Sequence, residues 1–131
     1  MKKLDSIITH SFLITNDESS PQRLLFERLA NKWFLMILSD LFHENFRFNS
    51  LLKAHHGLSQ KMLSQTLKNL EEDGLIYRKV NSNKIPVEVL YSITTFGRSL
   101  IEITIPLFEW SNKNVIKLHS ARKKYAKKYQ A

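Results

Sequence analysis

Residues 49–74 read NSLLKAHHGLSQKMLSQTLKNLEEDG. Two helical patterns meet in this stretch at a glycine. Asn49 is the expected cap of the first helix, which runs through His55, and Gly57 supplies the left-handed residue that ends it. Ser59 is the expected cap of the second. Met62 rather than Glu or Gln follows three residues later, so the reciprocal capping box is missing. Leu63, Leu67 and Leu70 recur at i, i+4 and i+7 and define a buried stripe. Lys61, Ser64, Gln65 and Lys68 repeat that spacing on another face, which carries hydrogen-bonding and cationic groups, the inventory that meets base edges and phosphates in a major groove.

The flanks complete an architecture. Upstream, Ser20-Pro21 reads as a cap and first helical position, and Leu24, Leu25, Leu29 and Ala30 give a first helix its apolar face before Asn31 breaks it or caps the next. A second helix over about 32–43 is apolar at Trp33, Phe34, Met36, Ile37, Leu38, Leu41 and Phe42, which places it mid-core. Phe46-Arg47-Phe48 alternates over the length of a small edge strand. Downstream, Asp73-Gly74 stops the helix, 75–80 reads as a strand, 81–86 as a turn-rich tip, and Val87, Val89, Tyr91 and Ile93 as the returning strand. Thr94 or Thr95 caps a last helix with Leu100, Ile103, Leu107, Phe108 and Trp110, which tolerates a kink at Pro106. The fold class is therefore mainly α with a small β-hairpin: a winged helix-turn-helix with flanking helices.

A chain of 131 residues, 43% hydrophobic and 24% charged, supports one domain. The expected division is an N-terminal extension over 1–19, the winged helix-turn-helix with its flanking helices over 20–114, and a basic C-terminal extension over 115–131. No apolar run approaches the roughly 20 residues of a membrane span, and no signal-peptide pattern follows Lys2 and Lys3, so the expected location is the cytoplasm. Cysteine is absent, which removes disulfides, thiolate metal sites and thiol chemistry. The formal charge of +8 is uneven: from Lys113 onward there are seven bases and no acid, so residues 1–112 carry only +1. Within them, 45–70 holds Arg47, Lys53, Lys61 and Lys68 without an acid, followed at once by Glu71, Glu72 and Asp73.

The residues resemble the HxlR-type winged-helix transcriptional regulators of bacteria, relatives of the MarR-like group, over about 21–112. The matching motifs are Lys32-Trp33, Arg47-Phe48-Asn49, Leu58-Ser59-Gln60-Lys61-Met62-Leu63, Leu70-Glu71-Glu72-Asp73-Gly74-Leu75-Ile76, Tyr91-Ser92-Ile93-Thr94, Gly97 and Glu109-Trp110. Together they are specific, whereas each alone is weak. The resemblance implies a DNA-binding homodimer whose first and last helices form the dimer interface and whose helix over 59–72 reads DNA. Three positions depart from the family pattern. Ala30-Asn31 stands where two glycines are frequent, and Leu90 replaces a common acidic residue. Ser20 stands where many members carry a cysteine that in some of them senses oxidants, so thiol switching is excluded here.

Gln60, Lys61, Ser64 and Gln65 are the expected base-edge readers, because the N-terminal turns of a recognition helix enter the groove. Phosphate or minor-groove contacts are expected from Arg47, Asn49, Ser50, Lys68, Arg78, Lys79, Asn83 and Lys84. Each has a bland counterpart: a solvated helix face for the first set, a simple cap for Asn49, and a cross-hairpin pair of Arg78 with Glu88. The run Glu71-Glu72-Asp73 opposes the helix macrodipole, which suits either keeping that end away from phosphate or a solvated patch. His55 and His56 point about 100° apart with no third ligand at metal spacing, so no metal or cofactor is expected. The basic tail with Tyr125 and Tyr129 suits a disordered arm that strengthens nonspecific DNA binding, a membrane-surface helix or a helical extension supporting the dimer, and Val115, Ile116 and Leu118 before it favour a helix fraying into an arm. No phosphate-binding glycine loop or nucleophile motif supports an enzyme. Expected partners are double-stranded DNA, a second copy of the chain and an unidentified small-molecule effector, without a membrane. The competing reading is a winged-helix protein-interaction module that does not read DNA sequence.

Overall fold

The computed structural model describes residues 17–130, so Ile7, Ile8, Phe12 and Leu13, which the sequence leaves open as an extension of the dimer surface or a flexible lead, lie outside the described residues. Seven elements follow: α1 (Pro21–Leu29), α2 (Lys32–His43), α3 (Phe48–Ala54), α4 (Gln60–Glu72), β1 (Ile76–Asn81), β2 (Glu88–Ile93) and α5 (Thr95–Tyr129). The two strands form an antiparallel hairpin with Ile76 opposite Ile93, Lys79 opposite Leu90 and Asn81 opposite Glu88. The expected edge strand is a single bridge between Phe46 and Tyr91, which exchange both backbone hydrogen bonds at 3.1 and 2.8 Å.

α2 is the central element, as its apolar density requires. Trp33, Phe34, Ile37, Leu38 and Leu41 are buried, and they meet Leu63, Leu67 and Leu70 of α4, Ile76 and Ile93 of the hairpin, and Ile101 of α5 in one cluster. The three leucines read as the buried stripe of α4 are all inside it. Asn31 caps α2 by accepting from the Trp33 amide at 2.9 Å, and Thr94 caps α5 by accepting from Gly97. Gly57 has φ of +84°, the left-handed conformation that lets the chain leave α3 and enter α4 within a few residues.

The structure corrects several local expectations. The cap of α3 is Arg47, not Asn49, and its side chain makes no capping bond; Asn49 is already helical because Phe46 is tied to Tyr91 and the helix starts directly after that bridge. His55 lies just past α3 and its ring contacts the Asp40 carboxylate of α2, a partner brought close only by folding. Arg78 stands opposite Tyr91 and makes no pair with Glu88. The C-terminal segment does not fray: α5 runs 35 residues, roughly 50 Å, through Pro106 and across 114–115 to Tyr129.

Candidate nucleic-acid interface

α3, the turn at Gly57 and α4 form the helix-turn-helix, and the hairpin is the wing beside it. α4 holds its orientation through two devices. At its start Ser59 Oγ accepts from the Met62 amide at 3.1 Å, the capping bond expected there. At its end Arg28 of α1 donates to the Asn69 carbonyl at 3.1 Å and to Glu72 Oε2 at 2.9 Å, and also bonds Asp73 Oδ1. Burial disfavours the charged guanidinium, but the hydrogen bonds it donates to Asp73 and Glu72, with their negative charge, outweigh it and hold Arg28 above its ordinary pKa. The acids that read as an odd addition to a helix C-terminus are thus, at Glu72 and Asp73, the partners of a cation that also satisfies one of the last carbonyls.

Between those anchors the outer face of α4 is open. Gln60, Lys61, Ser64, Gln65 and Lys68 are all exposed, and Gln65 Nε2 donates to Asn69 Oδ1 at 2.9 Å. Lys61 and Lys68 form no ion pair among the described residues, and no acid interrupts the face before Glu71. Met62 is exposed beside them as an apolar neighbour.

The wing candidates divide. Arg78, Lys79 and Asn83 are exposed along β1 and the tip. Arg47 and Lys84 share one carboxylate: Arg47 Nη2 lies 2.6 Å from Glu88 Oε1 and Lys84 Nζ 2.7 Å from Glu88 Oε2. The Lys84 and Arg47 hydrogen bonds, opposed by burial, keep the Glu88 carboxyl below its ordinary pKa. That carboxylate ties the entry to α3 to the tip of the wing while leaving both cations more than half exposed. Asn49 and Ser50 are exposed on the first turn of α3. The arrangement is a polar, cationic helix face flanked by cationic loops, suited to a polyanion with a groove.

The HxlR-like helix-turn-helix family model matches residues 28–119. The chain belongs to this family. Its members are transcriptional regulators, and the HxlR-like chain is a DNA-binding one. It is 34% identical over 109 residues to the HTH-type transcriptional regulator YdeP of Bacillus subtilis (strain 168), covering 81% of this chain and 84% of that one. Among solved structures, the transcriptional regulator ytfH from Salmonella typhimurium superposes with a TM-score of 0.72 at 30% identity, covering 81% of this chain and 94% of that one. The redox regulator HypR in its reduced form gives a TM-score of 0.69 at 32% identity, covering 77% and 99%. The family's winged helix-turn-helix is the fold found here, and among the described residues no helix is long and apolar enough to cross a membrane.

Sequence reading missed Arg28 as an organiser of the site. The signal was present as one base in α1 and an unexplained acidic run 44 and 45 residues later, but nothing local joins them.

Proposed function

We propose that the HxlR-like regulator acts in the cytoplasm as a homodimer that reads a pseudo-palindromic operator, by binding and not by catalysis. The two copies of α4 enter major grooves about one helical turn, ~34 Å, apart. Gln60, Lys61, Ser64 and Gln65 face base edges, and Lys68 meets phosphate. Arg47, Asn49, Ser50, Arg78, Lys79, Asn83 and Lys84 follow the backbone or the minor groove. The observation that carries this reading is the acid-free outer face of α4, open from Gln60 to Lys68, with two of the three acids that follow, Glu72 and the cap Asp73, turned to Arg28.

A second copy is supported by α5. None of its residues beyond Thr104 is buried, yet Ile103, Leu107 and Trp110 stand 72%, 58% and 55% exposed at helical spacing. With Ile105, Phe108, Val115 and Ile116 also exposed on the same helix, this is an apolar surface of the size that a partner helix covers.

The test is fluorescence anisotropy of the full chain with a duplex from upstream of its own gene against a shuffled duplex, across a salt series, with sedimentation for mass. Selective binding by a species of twice the chain mass is expected, and Lys61→Ala with Gln65→Ala abolishes the selectivity while leaving the melting temperature unchanged. Equal binding to both duplexes that vanishes steeply with salt, or selectivity retained by the double variant, overturns the reading.

A further inference from the structure

A cavity of about 600 Å³ opens between α1, the end of α4 and the start of α5. Its walls are apolar at Leu25, Leu75, Phe96, Leu100 and Ile103, and the charged residues lining it are Glu72 and Asp73. That volume falls within the range of small-molecule sites, which pair apolar walls with a few placed polar groups. The neutral polar groups are Gln22 and Ser99, and the charged ones have one sign. Two carboxylates meet one cation, Arg28, so this end of the cavity is left with an excess negative charge. Asp73 gives Oδ1 to Arg28, while Oδ2 is buried with no hydrogen-bond partner among the described residues. A buried carboxylate oxygen without a donor is unfavourable, and positive charge brought near that carboxylate offsets its uncompensated charge. The Phe96 ring, 64% exposed on the rim, adds a π-face of the kind that attracts a desolvated cation.

We infer that this cavity is an effector site for a lipophilic monocation, read out through the Arg28 clamp on the end of α4. The apolar body of the ligand fills the space against Leu25, Leu75 and Leu100. Its charge settles between the Phe96 ring and the Glu72 and Asp73 carboxylates. Those are the carboxylates that hold Arg28, and Arg28 also donates to the Asn69 carbonyl. A cation sharing them loosens the tie between α1 and α4 and changes the angle at which α4 is presented. Cation and DNA then weaken each other's binding by the same factor, as linkage requires. This consequence for DNA rests on the operator-reading proposal; occupancy of the cavity does not.

Calorimetry of the full chain with tetraphenylphosphonium, against its anionic counterpart tetraphenylborate of the same shape, tests occupancy without DNA. The chain carries +8, so indiscriminate adsorption favours the borate. Saturable binding of one phosphonium per chain is expected, with the borate at least tenfold weaker. Glu72→Gln, which keeps the Asp73 to Arg28 bond, weakens the phosphonium at least tenfold. Ser99→Trp, at an exposed lining position, fills the space and abolishes binding in a protein that still melts cooperatively. No saturable binding, equal binding of the two ions, or binding that survives Ser99→Trp overturns the inference. A chain that selects its operator but takes no phosphonium sinks the cavity alone and leaves the DNA reading intact.

Discussion

The Arg28 guanidinium of α1 lies 3.1 Å from the Asn69 carbonyl near the end of α4, and the Asn69 side chain in turn accepts from Gln65, one of the base-facing candidates, at 2.9 Å. A residue in the first described helix is therefore two hydrogen bonds away from the proposed reading surface. Arg28→Ala removes the cation and leaves Asp73 partly buried without its partner. Urea unfolding should show a loss of about 1–2 kcal/mol, discounted because Glu72 is half exposed to solvent. Operator affinity should fall along with it. Stability and affinity both at wild-type levels would remove Arg28 from any organising role.

Lys68 and Gln65 separate two kinds of contact. Lys68→Ala should weaken binding to all sequences alike and reduce the slope of log affinity against log salt by about 0.9 per protomer, since one phosphate contact is lost. Gln65→Ala should leave that slope in place and relax discrimination at one base pair by about 1–3 kcal/mol. Salt-dependent anisotropy on matched and single-mismatch duplexes distinguishes them, and identical behaviour of the two variants would contradict the assignment.

Glu88 gives the wing an acid-sensitive tether to Arg47 and Lys84. Its folded-state pKa is depressed, so the unfolded chain takes up the proton more readily. The stabilisation is present above the ordinary carboxylate range and is lost as the pH falls through the folded-state value. Thermal melts from about pH 7 down to about pH 3 should show wild type and Glu88→Gln converging at the acid end. A constant difference across that range would mean that the pairs with Lys84 and Arg47 contribute nothing.

Gly97 is a packing requirement, since its φ is not positive. A Cβ built there would lie 2.1 Å from the Leu75 carbonyl oxygen and 2.7 Å from Ile93 Cγ1. Gly97→Ala must push α5 off the hairpin, at a cost of about 3 kcal/mol in chemical denaturation. A wild-type midpoint would show that the helix and strand are not in close contact.

Much of the architecture was legible because it depends on spacing within single elements. The leucines at 63, 67 and 70, the serine cap at 59, the left-handed glycine at 57 and the apolar density of α2 each act over a few residues, and each appears where local pattern places it. The cap of α3 was misplaced because a bridge from Phe46 to Tyr91, 45 residues apart, sets where that helix begins. Arg78 and Glu88 both lie on the hairpin, which suggests a pair, whereas register puts Tyr91 opposite Arg78 and leaves Glu88 to Arg47 and Lys84. Val115, Ile116 and Leu118 point to a helix that frays among the bases of the tail, yet with no proline after Pro106 and no glycine, helix propensity carries α5 on to Tyr129.

By itself the sequence determined the winged helix-turn-helix, the polar face of α4 and its likeness to a regulator family, because periodicity, caps and motif residues are written locally and burial follows from them. Only the tertiary structure decided who holds the charges. Arg28 meets Glu72 and Asp73, and Arg47 meets Glu88, across separations that no local pattern encodes. Ion pairs are chosen by which surfaces the core brings within a few ångströms, and that choice is made only when α1, α4, α5 and the hairpin pack around α2.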